Sequence, residues 1–142
     1  MEEVRRAGMD NPPAEEETMS QTATGSLVKK GAGEADETRQ FEGNGHLDVV
    51  KLGDHTIGIA TFEPGFKWSD NVKPIVGTDS CQAPHLAYVV SGRMTIVSDD
   101  GSQVDVGPGD LVSVAPGHDA WTVGDEPCVQ VDFMSGATYA RK

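Results

Sequence analysis

The sequence predicts an all-β domain, an antiparallel sandwich or jelly-roll barrel preceded by a flexible N-terminal tail. Three observations point there. From Phe41 onward short apolar runs recur between turn residues. Most of these runs alternate apolar and polar positions with a period of two, and no segment of helical length places apolar residues at i, i+3 and i+4. Eight or so short strands without helices leave sheet-on-sheet packing or closure into a jelly roll.

Taken in order, the first 40 residues are polar. They hold Pro12, Pro13, the acidic run Glu15 to Glu17, and the stretches QTATGS and GAGEADET, with few large apolar side chains. Such a composition does not bury enough surface to offset chain entropy. Residues 1–40 are therefore expected as a mobile extension and 41–142 as the folded domain. Met19 followed by Ser20 reads as an alternative start, which would make residues 1–18 an upstream extension; N-terminal sequencing of the native protein tests this.

The candidate strands are His46 to Leu52, His55 to Phe62, His85 to Val90, Met94 to Val97, Gln103 to Val106, Leu111 to Val114, Asp119 to Val123 and Cys128 to Phe133. The last shows the alternation plainly, with Val129, Val131 and Phe133 on one face and Cys128, Gln130 and Asp132 on the other. The breaks carry turn chemistry: Gly53-Asp54, Pro64-Gly65, Asp100-Gly101, Pro108-Gly109, Pro116-Gly117 and Gly124-Asp125. Asp100-Gly101 is expected to form a type I′ hairpin.

A chain of 142 residues suits one domain. Its net charge of -12 comes from 23 acidic against 11 basic residues, with a pI near 4.5. This charge repels nucleic-acid phosphates and anionic lipid heads, so neither is an expected partner. Thirteen aspartates against six lysines fit a salty cytosol as well as an ordinary acidic surface; stability measured against KCl distinguishes the two. Two cysteines, Cys81 and Cys128, are too few for a disulfide framework, although one bridge between them stays open. No secretory leader or stretch of transmembrane length is visible, and a cytoplasmic location is the expectation.

Two segments place a histidine at the mouth of a predicted strand: DSCQAPHLAYVVSG from Asp79 to Gly92, and GPGDLVSVAPGHDAW from Gly107 to Trp121. Together with the strands around them they resemble the cupin superfamily, whose first motif is G-x5-H-x-H-x3-4-E-x6-G and whose second is G-x5-P-x-G-x2-H-x3-N. Gly92, in YVVSGRM, fits the closing glycine of the first. Gly109, followed by Asp110, opens the second, and Gly117 is its internal glycine. The resemblance covers about 100 residues and implies a small antiparallel jelly-roll barrel, commonly a homodimer.

The ligand slots depart from that pattern. His85 stands where the family has its glutamate, and Cys81 and Asp79 stand where it has two histidines. In the second motif the histidine slot is Ala120, whereas the histidine present is His118; Ala115 takes the proline slot, with Pro116 displaced by one.

Cys81, His85 and His118, with Asp79 as a fourth ligand or as an acceptor for an imidazole N–H, nevertheless form a donor set for one ion. Thiolate and imidazole suit zinc, copper or iron(II) rather than magnesium or calcium. The alternative is that His85 closes a loop, His118 faces solvent and Cys81 fills a small apolar space. Between Phe62 and Asp79, Trp68 could stack on a planar ligand and Lys73 hold an anion, with Trp121 lining the pocket from another side. Both tryptophans serve equally well as core or dimer-interface residues.

Two function classes follow. One is a metal-dependent domain acting on a small organic molecule, of the oxygenase, isomerase or lyase kind. The other is a metal-free, non-catalytic domain that uses the same pocket for a small molecule or a protein.

Overall fold

The computed structural model describes residues 22–24 and 26–141. It forms two compact units, divided between Glu34 and Ala35. The alternative start at Met19, and the expected mobility of the first 21 residues, lie outside the described residues. The described part of the first unit is a small hairpin, β1 (Thr22–Thr24) against β2 (Leu27–Lys29).

The second unit opens with β3 (Glu37–Gln40), which pairs along the edge of β4 (Gly45–Leu52). Then follow β5 (His55–Phe62), the single helical turns α1 (Trp68–Asn71) and α2 (Lys73–Val76), β6 (His85–Ser91) and β7 (Arg93–Ser98). The chain continues through β8 (Gln103–Val106), β9 (Leu111–Val114), β10 (His118–Val123) and β11 (Cys128–Asp132). Asn71 holds the helical turns in place: its Oδ1 accepts from the Lys67 N–H at 3.0 Å and its Nδ2 donates to the Glu42 carbonyl at 2.7 Å. Pro74 sits in the first turn of α2, and Gly77, at φ 79°, ends it in a left-handed cap.

The expected jelly-roll barrel is not what forms. The unit consists of a six-stranded sheet, β3-β4-β5-β11-β6-β9, and a three-stranded sheet, β10-β7-β8, which share one core but are not closed into a barrel. Outside the named strands only isolated bridges occur, among them Cys81 to His118 and Lys67 to Trp121. The reason lies in the turns. After β6 the chain crosses to the smaller sheet at Gly92, returns at Pro108-Gly109, crosses again at Pro116-Gly117, and returns at Gly124 to Pro127. These turns carry the chain between layers instead of folding a strand onto its neighbour, so hydrogen-bonded ladders do not run around both sheets.

Smaller differences have local causes. The 98–102 hairpin has Gly101 at φ 93° and no positive φ at Asp100, with Ser98 N–H bonded to Ser102 O at 2.8 Å. It is therefore a three-residue loop with glycine in the left-handed position, not type I′. Cys81 and Cys128 are both buried and unbridged.

Within the shared core Phe41, Phe62, Phe66 and Tyr139 form an aromatic group. Phe62 and Phe66 have ring centroids 4.7 Å apart, and Tyr139 meets Phe41 edge-on at 5.9 Å. Each such pair is worth about 0.5–1.5 kcal/mol beyond area burial. Tyr139 belongs to a C-terminal turn after β11 that no periodicity announced. Arg39, on β3, holds this turn by donating to the carbonyls of Gly136, Ala137 and Tyr139 at 2.8 to 3.2 Å.

Candidate metal centre

Strand parity brings the first histidine inward. His85 begins β6 on the face that it shares with Ala87 and Val89, which are 2% and 0% exposed. His118 begins β10 on the opposite sheet and is itself buried. Between them, Cys81 is tied to that strand by backbone bonds, Cys81 N to His118 O at 2.8 Å and Gly117 N to Cys81 O at 2.7 Å. The donor atoms of Cys81, His85 and His118 consequently lie within 4.8 Å of one another.

Both imidazoles are oriented through Nδ1. In His118 this atom donates to the Ala115 carbonyl at 2.8 Å. In His85 it meets Asp132 Oδ2 at 2.6 Å and Ser135 Oγ at 2.9 Å, while Nε2 lies 3.7 Å from Cys81 Sγ. Each ring thus keeps Nε2 for an ion, the arrangement by which a carboxylate or carbonyl fixes tautomer and ring plane in metal sites. Asp132 is fixed in turn: Oδ1 accepts the N–H groups of Met134 and Ser135 at 2.9 and 3.1 Å.

The electrostatics follow from burial and proximity. Burial pushes the Cys81 thiol up, but hydrogen bonds and charge from His118 and His85 outweigh it and bring it down to about 6. Burial depresses His85, whereas Asp132 and Cys81 raise it to about 9; the same contact with His85 overcomes burial at Asp132 and lowers it to about 2. All three shifts run in the direction that favours the charged forms, thiolate, imidazolium and carboxylate, side by side. Tyr139, whose ring meets His85 at 5.1 Å, is held well above the usual phenol range by burial and by the charges of Cys81, Asp132 and Asp119.

The histidines line a cavity of about 40 Å³, otherwise walled mainly by apolar side chains such as Leu47, Phe66, Met94 and Ile96. Water needs about 10–15 Å³ on this measure, so the space suits an ion with a very small ligand rather than a large organic molecule. Outside it lies a more open groove of about 290 Å³; Trp68 and Tyr139 belong to the walls of both. Trp68 is 2% exposed, yet among the described residues its indole N–H has no acceptor, an arrangement that costs about 1–3 kcal/mol.

The other expected site residues lie elsewhere. Asp79 is exposed and outside the cluster. Lys73 is half-buried in α2 and lines neither cavity nor groove. Trp121 faces a separate hollow, where the Lys67 ammonium sits 5.7 Å from its ring centroid. Sequence reasoning missed Asp132, Ser135, Tyr139 and Arg39. For Asp132 a signal existed: β11 turns its Cys128, Gln130 and Asp132 face inward, and a polar face directed into a core marks a site. Replacing Asp132 by asparagine is expected to lower metal affinity about 10–100-fold, read by competition with a chromophoric chelator. An unchanged affinity would reduce Asp132 to a cap for the C-terminal turn.

Residues 76–131 match the family described as the EutQ-like cupin domain. Among solved structures, a protein of unknown function from Vibrio parahaemolyticus aligns at 14% identity and TM-score 0.52, covering 69% of this chain and 97% of that one. A cupin-like protein from Thermotoga maritima aligns at 17% and 0.51, covering 69% and 73%. An RmlC-like cupin from Shewanella frigidimarina aligns at 19% and 0.50, covering 80% and 91%. These likenesses concern the fold. No curated protein sequence matches the chain.

Proposed function

We propose that this small cupin-superfamily domain binds a divalent transition metal, zinc, iron(II) or copper, through Cys81 Sγ and the Nε2 atoms of His85 and His118, and receives a small organic ligand beside it. The observation that carries the reading is the pre-orientation of both imidazoles, His85 by Asp132 and His118 by the Ala115 carbonyl, around a buried thiolate. Three protein donors leave a four-coordinate ion one position for water or ligand, as catalytic sites do. A bound metal supplies Lewis acidity there, polarising an oxygen or acidifying a water. The chain's own residues orient the donors, through Asp132 and Ser135, and exclude bulk water, through the apolar walls and Tyr139.

Elemental analysis of untagged protein purified without chelator tests this. About one equivalent of metal is expected, with Cys81→Ser shifting preference away from zinc and copper(II) towards harder ions, because a hydroxyl replaces a soft thiolate. Metal far below one equivalent that cannot be restored by reconstitution would sink the reading. One observation favours a second reading: Cys81, His85 and Asp132 also stand in line as nucleophile, base and orienting carboxylate. There His118 serves only to hold the Cys81 thiol down, and His118→Ala would slow alkylation of metal-free Cys81 by iodoacetamide at neutral pH.

A further inference from the structure

We infer that the C-terminal segment from Phe133 to Arg141 is a strap that covers the candidate metal centre and must lift for an ion to enter or leave. The inference rests on the metal reading and adds the route, with the residues that set its rate. As they stand the donors are shielded, since Cys81 and His118 are 3% and 4% exposed. The segment itself covers His85, with Ser135 Oγ 2.9 Å from its Nδ1 and the Tyr139 ring 5.1 Å away, edge-on. The inner cavity and the outer groove share Trp68 and Tyr139 as walls. Trp68 begins α1, which Asn71 ties to the Glu42 carbonyl. Tyr139 is carried by the strap, so it is the wall that can move. Cys81 lines the groove whereas both histidines line the cavity. The three donors therefore straddle this wall, and displacing Tyr139 joins the two spaces.

Three observations mark the strap as the part that opens. It buries little: Tyr139 and Ala140 are covered, whereas Phe133 and Met134 are 50% and 55% exposed. Segments with few buried apolar contacts are those that open locally. The strap also lies outside both sheets, and beyond Phe133 one side chain holds its backbone to the rest of the described residues before Asp132. Arg39 donates to the carbonyls of Gly136, Ala137 and Tyr139, and Glu37 fixes its guanidinium at 2.8 Å. Finally, Ala140 sits in the left-handed region at φ 55°, which is costly for a residue with a Cβ, so the closed form holds strain that lifting releases. Arg39 thus pulls the strap down and Ala140 pushes it up. Neither is one of the three donors.

A gate changes how fast an ion exchanges without changing how tightly it is held, because Arg39 and Ala140 act alike on the loaded and the empty site. Zinc-loaded protein is mixed with excess chromophoric chelator in a stopped-flow instrument, in the range where release no longer depends on chelator concentration. Kd is measured separately by equilibrium competition. Arg39→Lys keeps the charge but cannot reach three carbonyls at once, and zinc release should become about tenfold faster. Ala140→Gly relieves the strain, and release should become about threefold slower. Kd should stay the same in both.

Equal release rates in wild type and both variants overturn the inference. So does an Arg39→Lys variant whose Kd rises in step with its release rate, since the segment would then brace the donors instead of gating them. Hydrogen exchange on metal-free protein separates this from the metal reading. Faster exchange of amides 138–141 in Arg39→Lys, with β5 and β11 unchanged, supports the strap even in protein that takes up no metal, a result that removes the metal reading alone. Equal exchange in wild type and variant, with one equivalent of zinc bound, removes the strap alone.

Discussion

His118→Ala is expected to abolish stoichiometric metal binding while leaving the two sheets folded. The imidazole is one of three side-chain donors and the only one contributed by the smaller sheet. Removing a ligand outright costs more than the 10–100-fold that follows loss of an orienting partner, so affinity should fall by more than about 100-fold. Thermal unfolding shows the consequence. A metal present at 1,000 times its Kd stabilises by about 4 kcal/mol, and wild-type Tm should rise with added zinc whereas the variant's should not. Truncating a buried side chain lowers the metal-free baseline as well. The decisive quantity is therefore the zinc-induced shift within each protein. An equal shift in both would show that the ion sits elsewhere.

Gly92→Ala is expected to be among the most damaging single-methyl changes at the described residues. Gly92 has φ 75° where the chain leaves β6 for the other sheet. A Cβ there would overlap the Pro127 carbonyl oxygen and lie 2.5 Å from Cys128 Cα, both backbone atoms that cannot rotate away. The left-handed conformation costs an alanine about 1–2 kcal/mol and the overlap about 1–3 kcal/mol more. The sum is a large share of a typical domain's stability and predicts a fall in Tm of roughly 10–20 °C. Gly124→Ala is the control, because Gly124 has φ 89° but no atom within 4 Å of the added methyl. It should show the conformational cost alone, and equal losses in the two variants would refute the overlap.

Much of this molecule was legible in one dimension. All eight strands expected from alternation occur, with boundaries displaced by no more than a residue, because each is delimited by Gly, Pro or Asp chemistry that acts over three or four residues. The short helices were not legible, since a single turn is too brief to show a 3.6-residue period and forms here through Asn71 and its tertiary partners. In the candidate site, Cys81 and His85 are four residues apart and could be grouped from the sequence, and only the resemblance to neighbouring cupin strands suggested His118 beside them. Asp132 and Ser135 reach His85 from 47 and 50 residues away. Nothing local joins them.

The sequence by itself determined the strands, the crossing glycines and the inward parity of His85, because backbone conformation and side-chain alternation are short-range properties. Tertiary structure decided which strands pair, and so left two open sheets where a closed barrel was expected. It also decided the polar environment of the cluster, placing Asp132 against His85, leaving Asp79 exposed and setting Tyr139 in the cavity wall, with its carbonyl held by Arg39. Those outcomes depend on which distant segments share a layer, and a turn motif specifies that the chain reverses without specifying what it will lie against.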